Sequence, residues 1–195
     1  MTRRRVTTQL SMVLALCLLG VTTRANIAAD DGVRAFQRSV DDYLALRHRL
    51  EPTLPPLAMS SDPQRIHDAV ESRAAAIRQA RAHQRAGEMF NPAVTGLFRR
   101  RIQDAVSKSG DAIERVLQQI HDHDARRERP AVNGRFSWRT AVATPASILS
   151  LLPALPDELQ YRFVGRDLAL VDTDADLVID VLPDALAAPP RSGRE

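Results

Sequence analysis

Cysteine, lysine and tryptophan are nearly missing from this chain of 195 residues: each occurs once, as Cys17, Lys108 and Trp138. One cysteine cannot close an intramolecular disulfide. Because Cys17 sits inside the N-terminal apolar run, the rest of the chain has no thiol nucleophile and no thiolate metal ligand. Stability has to come from packing. The chain also has no H-E-x-x-H pair, no G-x-S-x-G elbow and no glycine-rich phosphate loop. Zinc proteases, α/β-hydrolases and P-loop enzymes are thus left without their signatures. Every basic residue except Lys108 is arginine, a bias that reads as genomic base composition more than as mechanism.

What is present begins with Arg3-Arg4-Arg5 and the apolar run from Leu10 to Val21, too short for a comfortable bilayer span. Thr23-Arg24-Ala25 places small residues where a signal peptidase reads them, so residues 1–25 are expected to be a signal peptide cleaved after Ala25. The arginine pairs lack the strong hydrophobics that follow a twin-arginine signal, and Leu16 before Cys17 argues against a lipoprotein. The general secretory route is expected, with an uncleaved anchor as the alternative. Cleavage removes four arginines from 27 basic residues and none of the 24 acidic ones, so the net charge moves from +3 to −1. The basic pI belongs to the targeting segment, which weakens any nucleic-acid reading.

Beyond the leader the spacing predicts helices. Val33, Phe36, Val40, Tyr43 and Leu44 recur at three- and four-residue intervals behind a cap at Asp31, and Pro52 ends that pattern near Leu50. Ser61-Asp62-Pro63-Gln64 reads as a hydroxyl cap with a capping-box glutamine, opening a helix whose narrow face is Ile66, Ala69, Val70, Ala74, Ile77 and Ala80, with Gly87 as its stop. Asn91-Pro92 opens a third helix along Val94, Phe98, Ile102 and Ala105 toward Ile120, interrupted at Ser109-Gly110 by either a kink or a break into two consecutive helices. The run Arg99-Arg100-Arg101 spreads around a helix at about 100° per residue, so it reads as a solvated face and not as an anion site. Ala131 to Trp138 suggests a short hairpin or extended strand turning at Asn133-Gly134. Thr144-Pro145 reads as the cap of a short helix over 146–152.

Beyond Pro156 the period changes from 3.6 to 2. Gln160–Val164, Asp167–Asp172 and Leu177–Leu182 read as three strands of an antiparallel meander. One face is expected to be apolar, with Leu177, Ile179 and Val181 together, and the other polar. The whole is an α+β protein, mainly a helical bundle with a small C-terminal antiparallel β-sheet of about three strands. Its segments are 1–25 (signal), 26–129 (helical), 130–186 (short helix plus meander) and 187–195 (disordered tail).

Two clusters could hold a divalent metal. Asp172, Asp174 and Asp176, with Asp180 nearby, bring carboxylates to one short loop, although Leu177 and Pro183 stand where a calcium loop wants glycine and glutamate. His121 and His123, in the run HDHD, share a face only in an extended backbone. Turn chemistry and a frayed helix end are the plainer readings of both.

The run from Leu152 to Leu186, with AGEMFNPAVTGLFRRRI and LRHRLEPTLPPL upstream, resembles an uncharacterised family of secreted bacterial proteins. That resemblance implies export and a shared architecture. The last strands, through Leu155-Pro156, Tyr161-Arg162, Val164-Gly165 and Asp180-Val181, are similar to the C-terminal module of periplasmic nickel/cobalt-homeostasis modulators. Ala175-Asp176 replaces the glycine of that pattern. The expected role is therefore a non-catalytic binding module of the periplasm or exterior, meeting a protein partner through the sheet edge or a helical groove. The alternative is a metal-homeostasis accessory protein. No nucleic-acid partner is expected, nor a membrane one after cleavage.

Overall fold

The computed structural model describes residues 30–57, 60–108, 129–139 and 141–186. The expected signal peptide, the continuation of the third helix, His121, His123 and the tail lie outside the described residues.

Helix α1 runs through residues 30–50 and passes into a short 3-10 turn, Glu51–Thr53, where Pro52 forbids another α-helical turn. It is already helical at Asp30, so Asp31 pairs with Arg34 and does not cap. Its stripe packs as the spacing implies, with Phe36, Val40 and Tyr43 buried and Val33 and Leu44 half-buried at the margin.

Helix α2 spans Pro63–Ala80. Asp62, one residue after the expected cap, accepts from the Gln64 N–H at 3.0 Å, because Pro63 takes the first helical position and the residue before it must cap. Gly87 does not stop this helix. The chain leaves helical dihedrals at Arg81, and Gly87, at φ +85°, serves the following loop instead.

Helix α3, Pro92–Lys108, is capped as expected: the Asn91 side chain accepts from the N–H groups of Ala93 and Val94, both at 3.1 Å. Val94, Phe98, Ile102 and Ala105 form its buried stripe. Gly32 lets α1 approach it closely, since a Cβ there would come within 3.0 Å of Ala93. Two of the three arginines tie α3 down, Arg99 donating to the Pro183 carbonyl at 2.8 Å and Arg101 to that of Leu151 at 2.7 Å, while Arg100 is exposed. No described helix is long and apolar enough to cross a membrane.

The sheet is antiparallel in the order β1 (Val142–Ala143), β2 (Leu159–Val164), β3 (Asp167–Asp172), β4 (Leu177–Leu182). The three-strand meander stands, with a two-residue strand added. Between β1 and β2 lies a single helical turn, α4 (Ala146–Leu149). Thr144 does not cap it; its hydroxyl donates to the Tyr161 carbonyl at 2.9 Å.

Both faces of the sheet are buried, against the expectation of one polar face. Phe163, Tyr161, Leu168, Leu170, Leu177 and Ile179 meet the helices, where Phe36 is stacked 5.7 Å from Phe90 and meets Phe98 edge-on at 5.4 Å. Val164, Ala169, Val171, Val178 and Val181 form a second cluster beneath Phe136. Val181 thus parts from Leu177 and Ile179. The cause is a β-bulge: Leu170 opposes Asp180 and Val171 opposes Val178, so Ile179 is an extra residue and the alternation resets.

The reset also turns Asp180 toward the helices. Its carboxylate accepts from the backbone N–H of Gly87 at 2.7 Å and from Met89 and Phe90 at 2.8 Å each. These are charge-assisted bonds in a buried setting, where an orphaned donor is costly. Asp180→Ala should destabilise the fold by about 3 kcal/mol or more, read as a lower urea midpoint. A loss below about 1 kcal/mol would mean that the α2–α3 loop does not depend on it.

Candidate functional site

The structure scatters the aspartates proposed as metal ligands among protein partners. Asp172 is fully buried. One of its oxygens accepts from the Tyr43 hydroxyl at 2.5 Å and lies 3.4 Å from the Arg47 guanidinium; the other accepts from the N–H groups of Asp174 and Ala175 at 3.0 Å. Asp174 takes a bond from Arg47 at 2.7 Å, and Asp176, in the left-handed region at φ 46°, accepts from the Trp138 indole. Asp180 faces the α2–α3 loop. Among the described residues no three His, Cys, Asp or Glu side chains are grouped to hold a metal ion. His48, His67 and His83 are exposed on or beside the helices.

Burial raises the Asp172 carboxyl above the usual carboxylate value, with Arg47 and the Tyr43 hydroxyl pulling the other way. Burial, followed by the Asp172 charge, lifts Tyr43 well above an ordinary phenol. Burial also lifts Tyr161, whose ring stacks 6.4 Å from Phe36. Arg81 is lowered by burial, and it is fully employed: it donates to the Ile179 carbonyl at 2.9 Å and to the Asn133 side chain at 3.1 Å, and lies 5.2 Å over the Tyr43 ring. These are the bonds of a structural polar network holding α1 and α2 to the sheet.

Among the concave sites of the described residues, two border the polar network and the sheet edge. A cleft of about 350 Å³ between α1 and the end of α2 includes Asp42, Glu88, Arg49 and Arg81 in its lining, so its opposite charges balance. The second, of about 380 Å³, follows the outer edge of β2. Pro153, Leu155 and the exposed Leu149 wall it on one side, and Leu159 to Arg162 of the strand form the other. In volume and in its apolar lining with few polar groups it matches an ordinary binding pocket.

The sheet edges explain why the groove is there. On β4, Val178 exchanges bonds with Asn133 and Gly134 at 2.8 and 2.9 Å, Phe136 donates to Asp176, and Arg81 takes the Ile179 carbonyl. The segment expected as a hairpin is thus a turn laid along β4, bridged between Arg135 and Leu177. On β2, by contrast, β1 pairs only with Phe163 and Arg162, because Pro145 cannot continue the ladder. From Leu159 to Tyr161 the strand borders the groove, with the Leu159 N–H bonded to the Pro156 carbonyl at 3.0 Å and the Tyr161 carbonyl taken by Thr144, so the edge is only partly open. The aromatics Phe136, Trp138 and Tyr161 do not gather: Tyr161 is in the helix-side core, Phe136 lies under the opposite face, and Trp138 is exposed with its ring edge-on to Phe136 at 4.9 Å.

No family model, curated protein or solved structure matches the chain.

The chain has two tyrosines, Tyr43 and Tyr161, and both are buried. Each has a folded pKa above its unfolded value near 10, so the stabilisation is intact below pH 10 and is lost as pH rises, while the unfolded chain ionises first. Stability should therefore fall above pH 10 by up to about 1.4 kcal/mol per pH unit for each tyrosine. Tyrosinate absorbance should appear only together with loss of circular dichroism. A phenol that titrates near pH 10 in the folded protein would refute that burial.

Proposed function

We propose that this is an exported bacterial protein acting as a non-catalytic binding module, which grips an extended peptide segment along β2. The observation that carries the reading is the half-paired edge of β2 bordering an apolar-walled groove. Strand addition to such an edge gains affinity from main-chain hydrogen bonds and selectivity from pockets for alternate side chains. Nothing in this task needs a reactive group, and the buried ionisable residues described above serve the fold. The exposed Leu149 supports the reading as well, since it stands at the groove mouth where it contributes little to the core.

Export rests on the arginine-led apolar run and on the resemblance to secreted proteins. The exported product should have an intact mass corresponding to a start at Asn26. A full-length chain retained in the membrane fraction would favour the uncleaved anchor.

Binding can be read by anisotropy with fluorescein-labelled, capped hexapeptides of alternating valine and threonine. Saturable binding is expected, weakened at least tenfold by Leu149→Asp with an unchanged melting temperature, and abolished by N-methylation of alternate peptide amides. No binding up to millimolar peptide would overturn the reading, and so would binding indifferent to Leu149→Asp and to N-methylation.

A further inference from the structure

The groove along β2 has two different sides. Within the strand, Leu159 and Tyr161 turn toward the helix-side core, and the two-residue period sends Gln160 and Arg162 the other way. Both pairs line the groove. Ala143 of β1 holds the position opposite Arg162, so a strand added beside Leu159 to Tyr161 reaches the guanidinium diagonally; with the same period, its alternate side chains meet an apolar wall and a polar one.

The polar wall carries an unbalanced charge. Arg162 donates to the Gln160 side-chain oxygen from two of its nitrogens, at 3.1 and 2.5 Å, and lies 5.2 Å over the Trp138 ring. Asp176 bonds to the indole nitrogen of that tryptophan and not to the guanidinium. Among the described residues no carboxylate pairs with Arg162. It is the one charged residue of the groove lining, and it is already held in place by an amide and an aromatic face.

We infer that the occupant of this groove is an extended segment of another protein in which apolar and acidic side chains alternate. The apolar set lies toward Leu149, Leu155, Leu159 and Tyr161, and a carboxylate meets Arg162. This rests on the peptide-binding reading above and adds to it the chemistry of the partner. A planar guanidinium, fixed beforehand, suits a carboxylate acceptor and disfavours a basic side chain at the same register.

The test compares labelled, capped hexapeptides of alternating valine and glutamate with alternating valine and lysine, and with a valine–glutamate peptide of the same composition in blocks. At low salt the alternating acidic peptide should bind about tenfold more tightly than the basic one, and the block peptide should lose that advantage. Arg162→Gln should erase the preference and Arg162→Glu should invert it, with circular dichroism and melting confirming that both variants are folded. If acidic and basic peptides bind equally and Arg162→Glu changes nothing, the charge rule is overturned while peptide binding stands. If none of the peptides binds, the peptide-binding reading falls with it. If the protein self-associates with rising concentration and the dimer excludes both peptides, the groove belongs to a second copy and the inference is overturned.

Discussion

The fold turns on one extra residue. Had β4 kept strict alternation, the positions beyond Ile179 would face opposite sides from those they occupy, and Asp180 would lie among the valines under Phe136. With Ile179 bulged, Asp180 instead reaches three backbone N–H groups of the loop joining α2 to α3. That loop delivers Met89 and Phe90 into the core and sets the start of α3 at Asn91. The Ile179 carbonyl takes the Arg81 guanidinium that closes α2. One local irregularity in a strand therefore positions two helices.

A sheet buried on both faces has to satisfy its polar groups internally. Here carboxylates on the strands and basic or hydroxyl groups on the helices do so. Asp172 receives Tyr43 and Arg47 from α1, and Asn133 exchanges bonds with Arg81 at the end of α2. Such pairs are expensive to desolvate and weak as net stabilisers, yet costly to break singly. Their effect is geometric: they fix how α1 and α2 sit on a sheet whose apolar contacts alone would tolerate sliding. This is also why the acidic loop that invites a metal reading is committed elsewhere.

The edge of β4 and the part of β2 that β1 leaves uncovered are treated differently, and that difference carries the functional reading. β4 is closed by the chain's own 133–136 segment and by Arg81. β2 is closed at Phe163 and Arg162, after which Pro145 and α4 lead the chain away, opening a groove walled by Leu149 and Leu155. An edge paired at one end and only partly occupied beside an apolar channel at the other leaves room for a further strand from outside.

Much of the secondary structure could be read directly, because helix stripes and strand alternation are local. The buried residues of α3, the meander from 160 to 182 and the Asn91 cap follow from spacing and from the fixed φ of proline. Individual caps shifted where neighbours competed: Asp62 replaced Ser61, and Thr144 spent its hydroxyl on Tyr161. The bulge at Ile179 has no local signature, and without it the partition of Leu177, Ile179 and Val181 between faces is misassigned. The groove was not legible either, since it joins residues 143–155 to 159–162 across a ladder whose length depends on tertiary pairing. The amino-acid order by itself determined which segments are helix or strand and that packing, not disulfides, holds them together. Tertiary structure decided which carboxylates are spent and which edge stays partly open, because the first depends on contacts between residues over a hundred positions apart and the second on where β1 and the 133–136 segment dock on the sheet.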